Sequence, residues 1–216
     1  MSSVWAYAAR MTDAMAKWGW MDRTRGVEGG GKVEGLPVHI VPTDDGDIAT
    51  KCPTEVAISD RSELELSNLG FLPLLHYKGT DYAVFMGAQS CHKPKLYTDP
   101  AANANAELSA NFNLILCVSR FAHYLKVMAR DRIGSFMDAS DCQRWLNEWI
   151  GNYCVANNET SEARKAQQPL SEALVDVGPL AGKPGWFEVV AYLPPQFQLE
   201  ALTTSMRVVV EIPQKT

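Results

Sequence analysis

With 216 residues, a formal net charge of −5, 46% hydrophobic and 21% charged residues, the chain is long enough for one sizeable globular core. The acidic balance excludes a non-specific nucleic-acid binder, which needs a basic footprint to displace counterions from phosphates. No apolar run reaches the roughly 18 to 20 residues of a membrane span, and the start lacks the basic, apolar, small-residue order of a secretory signal, so the expected compartment is the cytoplasm.

In chain order, Val4 to Trp20 comes first, with Trp5, Ala8, Ala9, Thr12, Met15, Ala16 and Gly19 at helical intervals; this predicts an amphipathic helix closed by Gly19, with almost no capping stretch ahead of it. The stretch RGVEGGGKVEG follows, in which Gly26, Gly31 and Lys32 keep the G-x-x-x-x-G-K spacing of a phosphate-cradling loop. That motif needs a Ser or Thr hydroxyl after the lysine for Mg²⁺, and a strand before with a helix after. Here Val33 takes the hydroxyl's place, helix-like sequence precedes, and the extended run Leu36 to Pro42 follows. A turn whose glycines supply backbone freedom or close chain approach is the better reading.

The acidic run Thr43 to Asp47 resembles half of a calcium loop, but the position of the bidentate Glu falls at Val56, so a solvated turn is expected. Thr54 to Ser59 predicts a short strand and Ser62 to Leu69 a two-turn helix closed by Gly70. Phe71 to Met86 predicts a hairpin turning at Lys78 to Asp81, with Pro73 forcing the first strand to an edge or delaying its pairing. Ala101 to Ile133 reads as one long helix, apolar over most of its circumference. At about 100° per residue, its polar positions Asn113, Arg120, His123, Lys126 and Arg130 fall in one basic arc.

A second amphipathic helix starts at Asp138 or Ser140, carries Cys142, Trp145, Leu146, Trp149, Ile150 and Tyr153 on one face, and ends at Asn157 and Asn158. The polar stretch Glu159 to Gln168 predicts an exposed loop or frayed helix. Leu174 to Val177, Trp186 to Leu193 and Ser205 to Ile212 then alternate as strands. Strands and helices without regular β-α-β alternation indicate an α+β class, a mixed or antiparallel sheet covered by long helices, in a single domain over 1–216.

Little in the residues argues for catalysis. The five cysteines (Cys52, Cys91, Cys117, Cys142, Cys154) are odd in number and scattered without a C-x-x-C pair, so buried free thiols are expected rather than disulfides or zinc. Cys91 and His92 are chain neighbours whose side chains diverge. His39 and His76 sit in strand-like runs without a nearby acid, and the carboxylates near Asp44 and Glu63 occupy polar turns or helices. The six tryptophans are read as core packing. The last strand, Ser205, Met206, Arg207, Val208, Val209, Val210, Glu211 and Ile212, is a strong β-former whose edge offers pairing to another chain.

The blocks RGVEGGGKVEGLPVH, PTDDGDIATKCPTEVAISDRSELELSNLGFLPLLHYKGTDYAVFMGAQS, ANANAELSANFNLILCVSRFAHYLKVMARDRIGSF, WLNEWIGNY and FQLEALTTSMRVVVEIP together resemble the large sheath subunit of bacterial type VI secretion systems (the TssC/VipB family), specifically its C-terminal half. The resemblance implies a non-enzymatic part with no cofactor, in a phage-tail-sheath-like domain close to the inner tube. Implied partners are the small sheath subunit, neighbouring large subunits joined by donated strands, and the hexameric tube protein. It further implies that the disassembly ATPase docks on an N-terminal half outside this chain, and that the chain alone folds but forms no long sheath tubes. On this reading Ser205 to Ile212 is an assembly strand. Arg120, His123, Lys126 and Arg130 on one helix, and Asp141, Arg144 and Glu148 on the next, are candidate tube or neighbour contacts. The alternatives are a nucleotide-binding enzyme built on the Gly26 to Lys32 loop, or a phage-tail or pyocin-type sheath protein.

Overall fold

The computed structural model describes residues 2–42, 44, 48–131, 138–155, 162–182, 186–196 and 206–213. They divide into two compact units, Met1–Pro94 with Ala110–Asn113, and Lys95–Ser109 with Leu114–Thr216. Six helices and eight strands among the described residues form antiparallel sheets only, consistent with the α+β class.

In the first unit, helix α1 (Ser3–Trp18) starts with the Ser2 hydroxyl accepting from the Val4 N–H, a cap the sequence reading missed, and ends at Gly19 in the left-handed region at φ 78°. Its orientation is the reverse of the expected one: Trp5, Ala8, Ala9, Thr12, Met15 and Ala16 lie exposed, while Tyr7 and Ala14 are buried. Tyr7 decides this. Its ring meets Phe85 edge-on at 5.0 Å, and its hydroxyl donates to Asn113 Oδ1 at 2.8 Å. An aromatic with a satisfied hydroxyl contributes more on burial than a row of alanines.

Asn113 is therefore no part of the basic arc. Its Oδ1 also accepts from the Thr24 hydroxyl at 3.0 Å and its Nδ2 donates to the Asp22 carbonyl at 2.9 Å, so one amide ties together two distant stretches of chain.

Strands β1 (Lys32–Val33), β4 (Leu74–His76) and β5 (Ala83–Phe85) form one sheet in the order β1-β5-β4, while β2 (Ile40–Pro42) and β3 (Ile48–Thr50) make a separate hairpin. Pairing of β4 starts just after Pro73 and the strand lies at an edge, as the proline requires. The expected strand at Thr54 to Ser59 is absent. Thr54 Oγ1 turns its chain locally by donating to the Val56 carbonyl, and Ser59 is instead the N-cap of α2 (Asp60–Asn68). Apart from Asp44, the acidic turn at 43–47 lies outside the described residues.

The expected single helix from Ala101 is two helices, α3 (Pro100–Ala110) and α4 (Phe112–Asp131). The break is a hydrogen-bond exchange. The Phe112 N–H donates to the Ala88 carbonyl at 2.7 Å, the Ala110 carbonyl accepts from Ser90, and Asn111 bridges Gln89. Strand-like partners thus replace one turn of the helical ladder, which periodicity of apolar residues cannot register.

The second unit continues with α5 (Ala139–Gly151) and the short α6 (Glu162–Gln167), then β6 (Leu174–Pro179), β7 (Trp186–Leu193) and β8 (Met206–Pro213) in a meander with β7 central. Asn157 and Asn158 lie outside the described residues; α5 itself ends at Gly151. Phe121, Leu125, Leu146, Ile150, Leu170, Val175, Val189, Ala191, Leu193 and Val210 form its core. All five cysteines are free, yet only Cys117 is buried, and Cys91 is exposed, so the expectation of buried thiols holds for one.

Replacing Asn113 by Ala leaves the Tyr7 and Thr24 hydroxyls and the Asp22 carbonyl without this partner. The expected loss of stability is about 2 to 4 kcal/mol, read by urea denaturation; a loss under about 0.5 kcal/mol would show that the amide is not a structural tie.

Candidate assembly surface

The glycine stretch is the loop with a nucleotide reading, and the N–H groups of Gly26 and Gly31 are engaged within the chain. The Gly26 N–H donates to the Phe85 carbonyl at 2.7 Å, the Gly31 N–H to the Gly26 carbonyl at 2.9 Å, and the Gly31 carbonyl accepts from Phe85 at 3.0 Å. Glycine is needed there because a Cβ on Gly31 would stand 2.5 Å from the Phe85 carbonyl oxygen and 2.8 Å from the Gly26 nitrogen. Lys32 faces Glu34 at 2.5 Å and lies over the Tyr82 ring at 4.3 Å. The Glu34 carboxylate raises the lysine's pKa above its ordinary value, and Lys32 in turn lowers that of Glu34. The loop closes a backbone contact; its lysine already has an anion.

The other candidate chemistries resolve in the same way. His76 Nε2 lies 2.8 Å from the Thr80 carbonyl across the β4-β5 turn, and Glu63 accepts from Ser67 on its own helix. Trp20 is buried as expected, but Trp5 is exposed. Among the described residues no group of three or more His, Cys, Asp or Glu side chains could hold a metal ion, and no helix is long and apolar enough to cross a membrane.

In the second unit, α4 and α5 are joined by an aromatic cluster. Phe121 meets Trp149 at 6.2 Å and Tyr153 at 5.4 Å, and Tyr124 meets Trp149 at 6.3 Å, all edge-on. Burying that side of each helix turns the charged positions outward. His123, Lys126 and Arg130 on α4 are exposed, as are Asp141, Arg144 and Glu148 on α5. Arg120 is half-buried, its Nε donating to the Tyr124 hydroxyl at 3.1 Å with the guanidinium over that ring. Arg144 pairs with Asp141 at 3.2 Å with both side chains more than half exposed. Such a pair contributes roughly 0 to 1 kcal/mol.

The geometry of the β6-β7-β8 sheet is sharper. Its registers run unbroken from Leu174↔Tyr192 to Pro179↔Phe187, and from Trp186↔Pro213 to Leu193↔Met206. The Asn147 amide on α5 donates to the Val175 carbonyl at 2.8 Å and accepts from the Val175 N–H at 2.9 Å, so the backbone groups of Val175 point away from β7. In an antiparallel ladder, hydrogen-bonded and open pairs alternate. Ala191, opposite Val175, therefore turns its groups to β8 and bonds Val208. Arg207, Val209 and Glu211 consequently present N–H and C=O groups outward, along an edge with no partner strand among the described residues. Ser205 lies outside the described residues, and β8 extends one residue past Ile212 to Pro213.

Two family models match the chain: the EvpB/VC_A0108 tail sheath N-terminal domain over residues 1–92, and the EvpB/VC_A0108 tail sheath gpW/gp25-like domain over residues 101–212. The match at 1–92 means that the expectation of a C-terminal half alone is not confirmed. The type VI secretion system sheath protein TssC1 of Pseudomonas aeruginosa is 49% identical over 98% of the chain, and the chain spans 43% of that relative's length.

Saturating Mg-ATP should leave the melting temperature unchanged. A shift equivalent to about 3 kcal/mol, as a ligand well above its dissociation constant produces, would restore the nucleotide reading.

Proposed function

The chain belongs to the EvpB/VC_A0108 tail sheath family, and from that premise we propose that it is a structural, non-enzymatic part of the large sheath subunit of a type VI secretion apparatus. In this reading the sheath surrounds an inner tube in the cytoplasm and contracts to propel it. Its partners are the small sheath subunit, neighbouring large subunits and the tube protein, with residues 101–212 forming the phage-tail-sheath-like part on the tube side. The disassembly ATPase docks elsewhere on the large subunit.

The observation that carries the proposal is the outer edge of β8. Three consecutive outward positions, Arg207, Val209 and Glu211, offer three donors and three acceptors to an extended segment, and strand addition at such an edge is an economical way to join subunits. The sheet behind it is rigidly backed, with Val175, Val189, Ala191 and Val210 buried on one face. Val209 is 45% exposed, so its side chain is available to an incoming strand as well.

Val209→Pro is the direct test. Proline removes an outward N–H while Val208 and Val210 keep their bonds to β7, so the chain should retain its circular dichroism spectrum yet fail to co-assemble with the small sheath subunit and tube protein in electron micrographs. Normal assembly by the folded variant would overturn the strand-addition reading.

The charged helix faces are the proposed tube or neighbour contacts. Reversing charge at Lys126 and Arg130, or at Arg144 and Glu148, should weaken co-assembly several-fold at low salt and flatten its loss with added salt. Unchanged assembly for both pairs would remove α4 and α5 from the interface.

A further inference from the structure

The same sheet has a second edge, and it is treated differently. On β6 the outward positions are Val175, Val177 and Pro179, by the alternation that places Arg207, Val209 and Glu211 outward on β8. The Val175 N–H and C=O are both taken by the Asn147 side chain, whose planar amide supplies one donor and one acceptor in the spacing of a peptide group. Pro179 has no N–H to offer. Only Val177 retains an outward donor on this edge, and an isolated donor cannot hold a strand.

We infer that Asn147 closes the β6 edge by standing in for a neighbouring strand, so that subunits add to this sheet from β8 alone. The inference rests on the strand-addition reading of β8 and deepens it by giving the addition a direction. Asn147 is a positioning residue. It lies one turn from Gln143, whose carbonyl receives a bond from the Asn147 amide at 3.0 Å, and whose own amide approaches the Asp176 carboxylate at 3.3 Å. Helix α5 is thus stitched along the strand it closes. Val175 itself is fully buried and Leu146 and Ile150 of α5 are buried with it, so the amide is held in place by packing on either side of it in sequence.

An unclosed β6 edge would let extended segments dock on both sides of one sheet. A subunit that accepts strands at two edges can propagate sheets in two directions, which is the geometry of aggregation rather than of a closed ring. Asn is well suited to the closing role. Asp would place a carboxylate oxygen against the Val175 carbonyl, and Ser is too short to reach both backbone groups.

A synthetic peptide of sequence MRVVVEIP, matching Met206 to Pro213 and carrying a photo-crosslinker, serves as the strand probe on the 216-residue chain. The unaltered protein should bind one peptide, cross-linked next to β8. In folded Asn147→Ala, where α5 still covers Val175 but the amide is gone, the Val175 N–H should exchange with solvent at least tenfold faster than in the unaltered protein. Cross-linking of the unaltered protein next to β6, or unchanged Val175 exchange in Asn147→Ala, overturns the inference while leaving the strand-addition reading intact. Binding to the unaltered protein that survives Val209→Pro at β8 overturns the underlying reading instead.

Should Asn147→Ala fail to fold, hydrogen exchange on the unaltered protein decides. The Val175 amide should be protected at least tenfold over the Val209 amide, and equal exchange of the two would show that Asn147 does not close the edge.

Discussion

Backbone N–H and C=O groups at the two edges of a three-stranded sheet must be satisfied by something, and that requirement organises the C-terminal unit. A central strand satisfies both its rows internally; β6 and β8 each leave one row unpaired by the sheet. Asn147 answers for Val175, and Pro179 removes one donor. Nothing among the described residues answers for the outer row of β8. The asymmetry is local chemistry, one amide and one imino acid on one side, and it turns a symmetric-looking meander into a surface with a single open side.

Two kinds of contact on this unit differ in strength. Six outward backbone groups on β8, at roughly 0.5 to 1.5 kcal/mol net per hydrogen bond, amount to a few kcal/mol delivered only when a strand is correctly placed and in register. The charges on α4 and α5 are exposed, and pairs such as Arg144 with Asp141 are worth at most about 1 kcal/mol each and are screened by salt. In the proposed sheath, the backbone edge is the contact fit to persist through a change of subunit spacing, and the charged faces are the ones fit to let go. The aromatic cluster of Phe121, Tyr124, Trp149 and Tyr153 keeps the two helices registered against each other meanwhile.

Much of the strand pattern was legible because it is local. Alternation and turn residues placed β4, β5, β6, β7 and β8, and Gly19 and Gly70 ended the helices they were expected to end. Where the reading failed, the cause was a partner far away in sequence. The apolar stripe of α1 points outward because Tyr7 finds Phe85 and Asn113. The long helix breaks at Asn111 because Ala88 and Ser90 claim the backbone groups on either side. Periodicity reports which residues share a face, but it cannot report which face wins the core.

The glycine stretch and Asn147 show the same limit from opposite sides. Gly26, Gly31 and Lys32 have a spacing that invites a phosphate, yet their use is set by Phe85, some fifty residues on, whose backbone takes and gives hydrogen bonds at the loop. Asn147 carries no signal in the sequence: a polar residue on a helix beside Glu148 looks like part of a solvated face. Its role exists only once β6 lies alongside α5, because an amide side chain becomes a strand surrogate solely when a strand edge is within reach. What a sheet edge recruits or refuses is therefore a property of the residues packed beside it, and for this chain that places the decision on a helix rather than on the strands.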